Sequence, residues 1–152
     1  MSTNVKRMAC TPEAVFEVLA DGWLFPSWVV GASRMRDVDG AWPAVGSAIQ
    51  HSFGVWPALI DDETRVLEYD PPRRMVIRPK GWPLGEAEVA LEVRAQAHGC
   101  LVRITEHAVA GPGTLVPAPV MDAILHARNV ETLRRLAYLA EGRESNRRDG
   151  GE

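Results

Sequence analysis

The clearest pattern in the chain is an alternation with period two. Across residues 86–96, Val89, Leu91 and Val93 form one series and Glu88, Ala90, Glu92 and Arg94 the other. Successive strand residues point to opposite faces, so this segment reads as a strand with one face in a core and one in water. His98-Gly99 supplies a hairpin turn; Cys100, Val102, Ile104 and Ala108 then continue the inward face while Arg103, Thr105 and His107 point outward. The same register turns Glu106 inward, whereas a bulge or a shift by one residue makes it a surface charge near the strand end. From Val29 onward, glycine and proline punctuate the chain at roughly eight- to fifteen-residue intervals, with apolar residues tending to alternate between them. That punctuation predicts antiparallel strands at 30–38, 46–56, 58–69, 73–80, 86–96 and 100–110, and Val5 to Ala9 adds a short strand at the start.

Helical spacing appears twice. Thr11 can cap a helix whose first turn holds Pro12 and Glu13, whose apolar positions are Val15, Phe16, Leu19 and Ala20, and which Asp21-Gly22 stops. A second short helix is expected over Trp23 to Trp28. Near the other end, Gly111-Pro112-Gly113 and the prolines at 117 and 119 close the sheet and open a helix running to about Glu141. At 100° per residue Met121, Leu125, Leu136 and Leu139 share one stripe, and Arg128, Asn129 and Thr132 fall on or beside it. The stripe is thus apolar at both ends and polar between. Residues 142–152 are charged and without periodicity, so they are expected to form a disordered tail with no part in the site.

This order of elements gives an α+β fold of helix-grip type. A curved antiparallel sheet of six to seven strands wraps a long C-terminal helix, two short helices follow the first strand, and an apolar cavity lies between sheet and helix. With 152 residues and no composition break before the tail, residues 1–141 form one domain. The formal net charge is −3 with basic residues scattered, which argues against nucleic acid as a partner. Cys10 and Cys100 have neither CxxC nor metal-ligand spacing, so a disulfide framework and a zinc site are not expected. Met1 to Cys10 lacks the apolar stretch of a signal peptide, and no segment reaches the roughly 18 apolar residues of a membrane span. A cytoplasmic protein with no stable membrane insertion is expected, and a homodimer stays open.

Four segments together resemble the START-like helix-grip superfamily: TPEAVFEVLAD at 11–21 with Trp28 soon after, VLEYDPPRRMVIRP at 66–79, HGCLVRITEH at 98–107, and RNVETLRRLAYLAEGR at 128–143. The likeness covers about residues 3–141. That superfamily includes polyketide cyclases and dehydratases, lipid-transfer domains, pollen-allergen-type binding proteins and coenzyme Q carriers. The resemblance implies the fold and a ligand cavity. It transfers no catalytic set, because the superfamily shares none.

The candidate site residues follow from the register. Glu106, among Val102, Ile104 and Ala108, is a carboxylate that costs several kcal/mol if left dry and unpaired. Arg128 on the inner stripe of the last helix is its natural mate, either as a structural ion pair or as a pair that anchors a ligand's polar end. His51, with Ile49 and Phe53 marking its inward face, is either a hydrogen-bonded core residue or a group that moves protons near neutral pH. Trp-Pro pairs at 42–43, 56–57 and 82–83 sit at strand connections, where proline holds the preceding residue extended. Their indoles either rim a cavity mouth or plug the open end of the sheet, and Trp56 and Trp82 are the better rim candidates. Trp28, Phe53, Ile104, Met121, Leu125 and Asn129 complete the expected ligand-binding set. His98 reads as turn, His107 as outer face, and His126 as lying away from the stripe.

No nucleophile elbow, P-loop, dinucleotide fingerprint or HExxH is present, and no cofactor is expected. Asp61-Asp62-Glu63 reads as a solvated turn rather than a metal site, since a calcium loop needs spaced ligands and a glycine. Three functions follow in order. The first is a carrier or sensor that binds a small hydrophobic or aromatic molecule, such as a lipid, polyketide or quinone. The second is a cyclase or dehydratase-type enzyme in which His51 or Glu106 transfers a proton. The third is an interaction module with a filled core.

Overall fold

A computed structural model describes residues 1–81 and 85–151; Trp82 lies outside the described residues. Seven strands form one antiparallel sheet: β1 (Ser2–Met8), β2 (Ala32–Val38), β3 (Ala48–Val55), β4 (Ala58–Asp70), β5 (Arg74–Pro79), β6 (Glu86–Gln96) and β7 (Gly99–Ala110). Their spatial order is β1-β7-β6-β5-β4-β3-β2, so the first strand pairs with the last and every other neighbour is joined by a hairpin connection. The helices are α1 (Pro12–Ala20), α2 (Phe25–Trp28) and α3 (Ala118–Asp149). The helix-grip arrangement expected from the sequence is the one observed.

Local chemistry explains the boundaries. Thr11 Oγ1 accepts from the Ala14 amide at 3.2 Å and Pro12 opens α1, as the capping signal predicts. Gly99 holds φ +136°, and a Cβ there would lie 2.1 Å from the Met8 carbonyl oxygen, so only glycine lets the β6–β7 hairpin close beneath β1. Register shifts at Val66/Glu68 and Glu86/Ala87 bend the sheet where extra residues enter the ladder. The Asp61-Asp62-Glu63 run is strand rather than turn: it belongs to β4, opposite Ser52, His51 and Gln50 of β3. Its polar side chains are absorbed locally, with Ser52 donating to Asp61 at 3.0 Å and Gln50 to Glu63 at 2.8 Å.

α3 differs most from its expected extent. It continues past Glu141 to Asp149, so the segment expected to be disordered is mostly helix. The cause is tertiary. Glu144 is buried and accepts from the Thr11 amide at 3.0 Å, Arg143 pairs with Asp21 at 3.2 Å, and Arg147 pairs with Glu17. Further ties join α3 to β1: the Met1 ammonium to Asp122 at 2.8 Å, and the Asn4 amide to His126 Nδ1 at 2.8 Å. Beyond the midpoint of α3, Leu133, Leu136, Ala137 and Ala140 pack into a continuous core with α1 and the sheet. Before the midpoint the helix stands over open space, and the cavity lies there. No helix among the described residues is long and apolar enough to cross a membrane.

Candidate ligand-binding site

The cavity is bounded by the sheet, by Phe25 and Trp28 of α2, and by Met121, Leu125 and Asn129 of α3. The sheet wall follows directly from register. Ile77 of β5 stands opposite Val89 of β6, which stands opposite Glu106 of β7, so one carboxylate sits in a transverse apolar row. The cavity has a volume of about 140 Å³, close to the roughly 150 Å³ apolar cavity that takes up benzene. That is room for a single ring or a short acyl segment. Gly85, at the mouth, has φ +99°, and a Cβ there would meet the Ala110 carbonyl oxygen at 2.1 Å. Glycine is therefore required where the chain enters β6 beside the cavity.

Five polar side chains break the apolar lining: Glu86, Glu106, Arg128, Asn129 and Thr132. Glu106 is only 1% exposed, and Arg128 Nη2 donates to its Oε1. The Arg128 side chain is 29% exposed, so the guanidinium reaches in from the edge while the carboxylate stays inside. Asn129, the next residue along α3, is also 1% exposed. Glu106 Oε2 and Asn129 Nδ2 have no hydrogen-bond partner among the described residues. A buried polar atom left unpaired costs about 1–3 kcal/mol, more when charged, so both are places where a ligand's complementary group is stabilising. Thr132 is occupied otherwise: its Oγ1 accepts from the Val30 amide at 3.4 Å and ties α3 to the segment after α2.

Of the residues singled out in the sequence, Trp28, Phe53, Ile104, Glu106, Met121, Leu125, Arg128 and Asn129 line this cavity. His51 is fully buried, but it is not part of the lining. Its Nε2 lies 2.8 Å from Thr64 Oγ1, and its ring packs 5.0 Å from Phe25 and 6.2 Å from Phe53, two residues that do line the cavity. Burial pushes its pKa below the ordinary 6.5; Asp62 opposes that shift and Arg36 adds to it. The imidazole is therefore neutral at pH 7. Trp56 is 81% exposed on the β3–β4 turn, away from the cavity. Trp42 is buried elsewhere, its indole N–H donating to the Leu19 carbonyl at 3.2 Å.

The sequence reading did not single out Phe25, Val29 or Ile77. Phe25 stands three residues before Trp28, a spacing that puts both on one helical face. Ile77 lies in Met75-Val76-Ile77, where three buried residues in a row erase the period of two. No group of three or more His, Cys, Asp and Glu side chains among the described residues converges closely enough to hold a metal ion.

Comparison with known proteins adds a family and a set of folds. Residues 2–141 match the family model described as polyketide cyclase / dehydrase and lipid transport. No curated protein matches the chain. Among solved structures, a Nitrosomonas europaea protein superposes with a TM-score of 0.72 at 15% identity, covering 94% of this chain and 95% of that one. The di-domain ARO/CYC StfQ from the steffimycin biosynthetic pathway gives 0.71 at 15% identity, over 94% of this chain and 51% of that chain. Ara h 8.0201 gives 0.67 at 12% identity, over 92% and 93%. At these identities the structural likeness is one of fold.

Proposed function

The chain belongs to the polyketide cyclase / dehydrase and lipid-transport family, and from that membership we propose that it binds a small hydrophobic or aromatic molecule between sheet and α3, as a carrier or sensor. The observation that carries this reading is an apolar cavity that the described residues leave open, combined with buried polar atoms on Glu106 and Asn129 that find no partner among those residues. A cavity serving only as packing would be filled, since voids and unpaired polar groups both destabilise a core. Ligand binding gives both features a use. Proton-transfer catalysis by His51 together with Glu106 is less well supported, because the imidazole packs against Phe25 and Phe53 and does not itself line the cavity. An interaction module with a filled core fits less well than either, since the described residues leave the space open.

Native mass spectrometry of the purified protein, before and after denaturation, tests the reading. We expect a small apolar adduct that is released on unfolding and absent from Ala108→Phe, a substitution that places a ring in the cavity. A bare protein whose tryptophan fluorescence is unchanged by a panel of lipids, quinones and single-ring aromatics would overturn it.

A further inference from the structure

The two unpartnered atoms have opposite hydrogen-bonding character, which narrows the class of ligand the proposed site accepts. Glu106 Oε2 is an acceptor in need of a donor, and Asn129 Nδ2 is a donor in need of an acceptor. Both residues are only 1% exposed, and both line the same cavity, whose remaining walls are mostly apolar. Arg128 already donates to the other carboxylate oxygen, so the charge of Glu106 is met before any ligand arrives.

We propose, resting on the binding function above, that the site selects neutral ligands carrying both a hydroxyl and a carbonyl on a ring or short acyl segment. The hydroxyl donates to Glu106 Oε2 and the carbonyl accepts from Asn129 Nδ2. A hydrocarbon of the same size leaves both protein atoms unpaired. A phenol without a carbonyl satisfies one, and a simple ketone satisfies the other. A carboxylate ligand brings a second negative charge beside Glu106 into a space where water screens it poorly, and it is rejected. Discrimination comes from the unpaired atoms rather than from the apolar walls, because a site built to hydrogen-bond a ligand strongly disfavours analogues lacking the group, whereas an apolar pocket separates isosteres weakly.

The test is a titration of the full chain by calorimetry with single-ring probes: 3′- and 4′-hydroxyacetophenone, acetophenone, phenol, ethylbenzene and 3-hydroxybenzoate. At least one hydroxyacetophenone is expected to bind roughly tenfold or more tighter than acetophenone, phenol and ethylbenzene, with 3-hydroxybenzoate weaker than its neutral counterpart. Asn129→Leu should abolish the advantage of the carbonyl while keeping that of the hydroxyl. Glu106→Gln, which keeps an oxygen for Arg128 and presents an NH₂ in place of Oε2, should do the reverse. Two variants on different elements keep the test informative if one of them fails to fold. Equal binding of all the neutral probes would overturn the selectivity and leave the binding function standing. No binding of any probe, ethylbenzene included, would overturn the selectivity, and, joined with no response to lipids or quinones, the binding function as well.

Discussion

The Glu106–Arg128 pair shows how one residue's burial sets the consequence of losing its partner. With Glu106 enclosed and Arg128 at the edge, removing the arginine strands a carboxylate in an apolar row, whereas removing both charges does not. Arg128→Met should therefore destabilise the protein by about 2–3 kcal/mol, below the full cost for a wholly buried pair because the guanidinium is partly in water. The Glu106→Leu/Arg128→Met double variant should regain most of that loss. Urea denaturation with an unchanged slope reads both, and equal stability of the single and double variants would show that Glu106 is not dry. His51 gives a prediction in pH. Its pKa when folded lies below the 6.5 of the free side chain, so in the window beneath 6.5 the unfolded chain binds the proton more readily. The associated stability is complete above 6.5 and is lost as pH falls, by at most about 1.4 kcal/mol per pH unit. In His51→Gln that component disappears. The difference in stability between the two proteins, followed by thermal unfolding from pH 8 to pH 5, should be flat above 7 and shrink below 6.5. A flat difference throughout would mean that the imidazole is not desolvated.

At the scale of elements, the end of α3 acts on the beginning of α1. The Thr11 N–H receives the Glu144 carboxylate, the role a capping-box glutamate plays from within its own helix, here supplied from 133 residues away. A carboxylate at that helix start also favours the α1 dipole. Ending the chain after Glu141 should cost about 1–3 kcal/mol, and Glu144→Ala alone should account for most of it, since the exposed Arg147–Glu17 pair is worth little. Thermal unfolding of the two variants separates these contributions, and a truncated chain as stable as the whole would show that the last two turns add nothing. This segment also marks where sequence legibility ends. The strands of the sheet and the inward register of Glu106 could be read because period two is a local property of residues 86–110. The helix beyond Glu141 could not, because its partners Thr11, Asp21 and Glu17 belong to α1 and its two caps and leave no mark on its own periodicity. His51 shows an intermediate case: register turns it inward, yet it packs against Phe25, from a helix distant in sequence, and does not line the cavity. Trp56 shows the same limit, because a Trp-Pro pair looks alike whichever way its turn is aimed.

Across the whole molecule, the two halves of α3 rest on different foundations, and stability should follow that division. From Leu133 to Ala140 the helix lies on a filled core and is tied to α1, whereas from Met121 to Asn129 it spans the cavity and its first turn has no side-chain cap. Local opening is governed by how much packed surface must be released, so the open half should unfold locally at lower free energy than the closed half. Amide hydrogen exchange in the free protein should therefore be roughly tenfold or more faster at residues 121–129 than at 133–140, with β6 and β7 among the slowest segments. A bound ligand changes only those openings that must expel it. A probe that occupies the cavity should slow exchange at 121–129 and in α2, and narrow the gap between the two halves of α3. The last turn near Asp149 should be unaffected, because its opening leaves the cavity closed. Uniform exchange along α3 in the free protein would show that the cavity does not weaken the helix above it. Equal slowing at Asp149 and Leu125 would place the ligand's effect on global unfolding alone, with no opening at the mouth through which it enters.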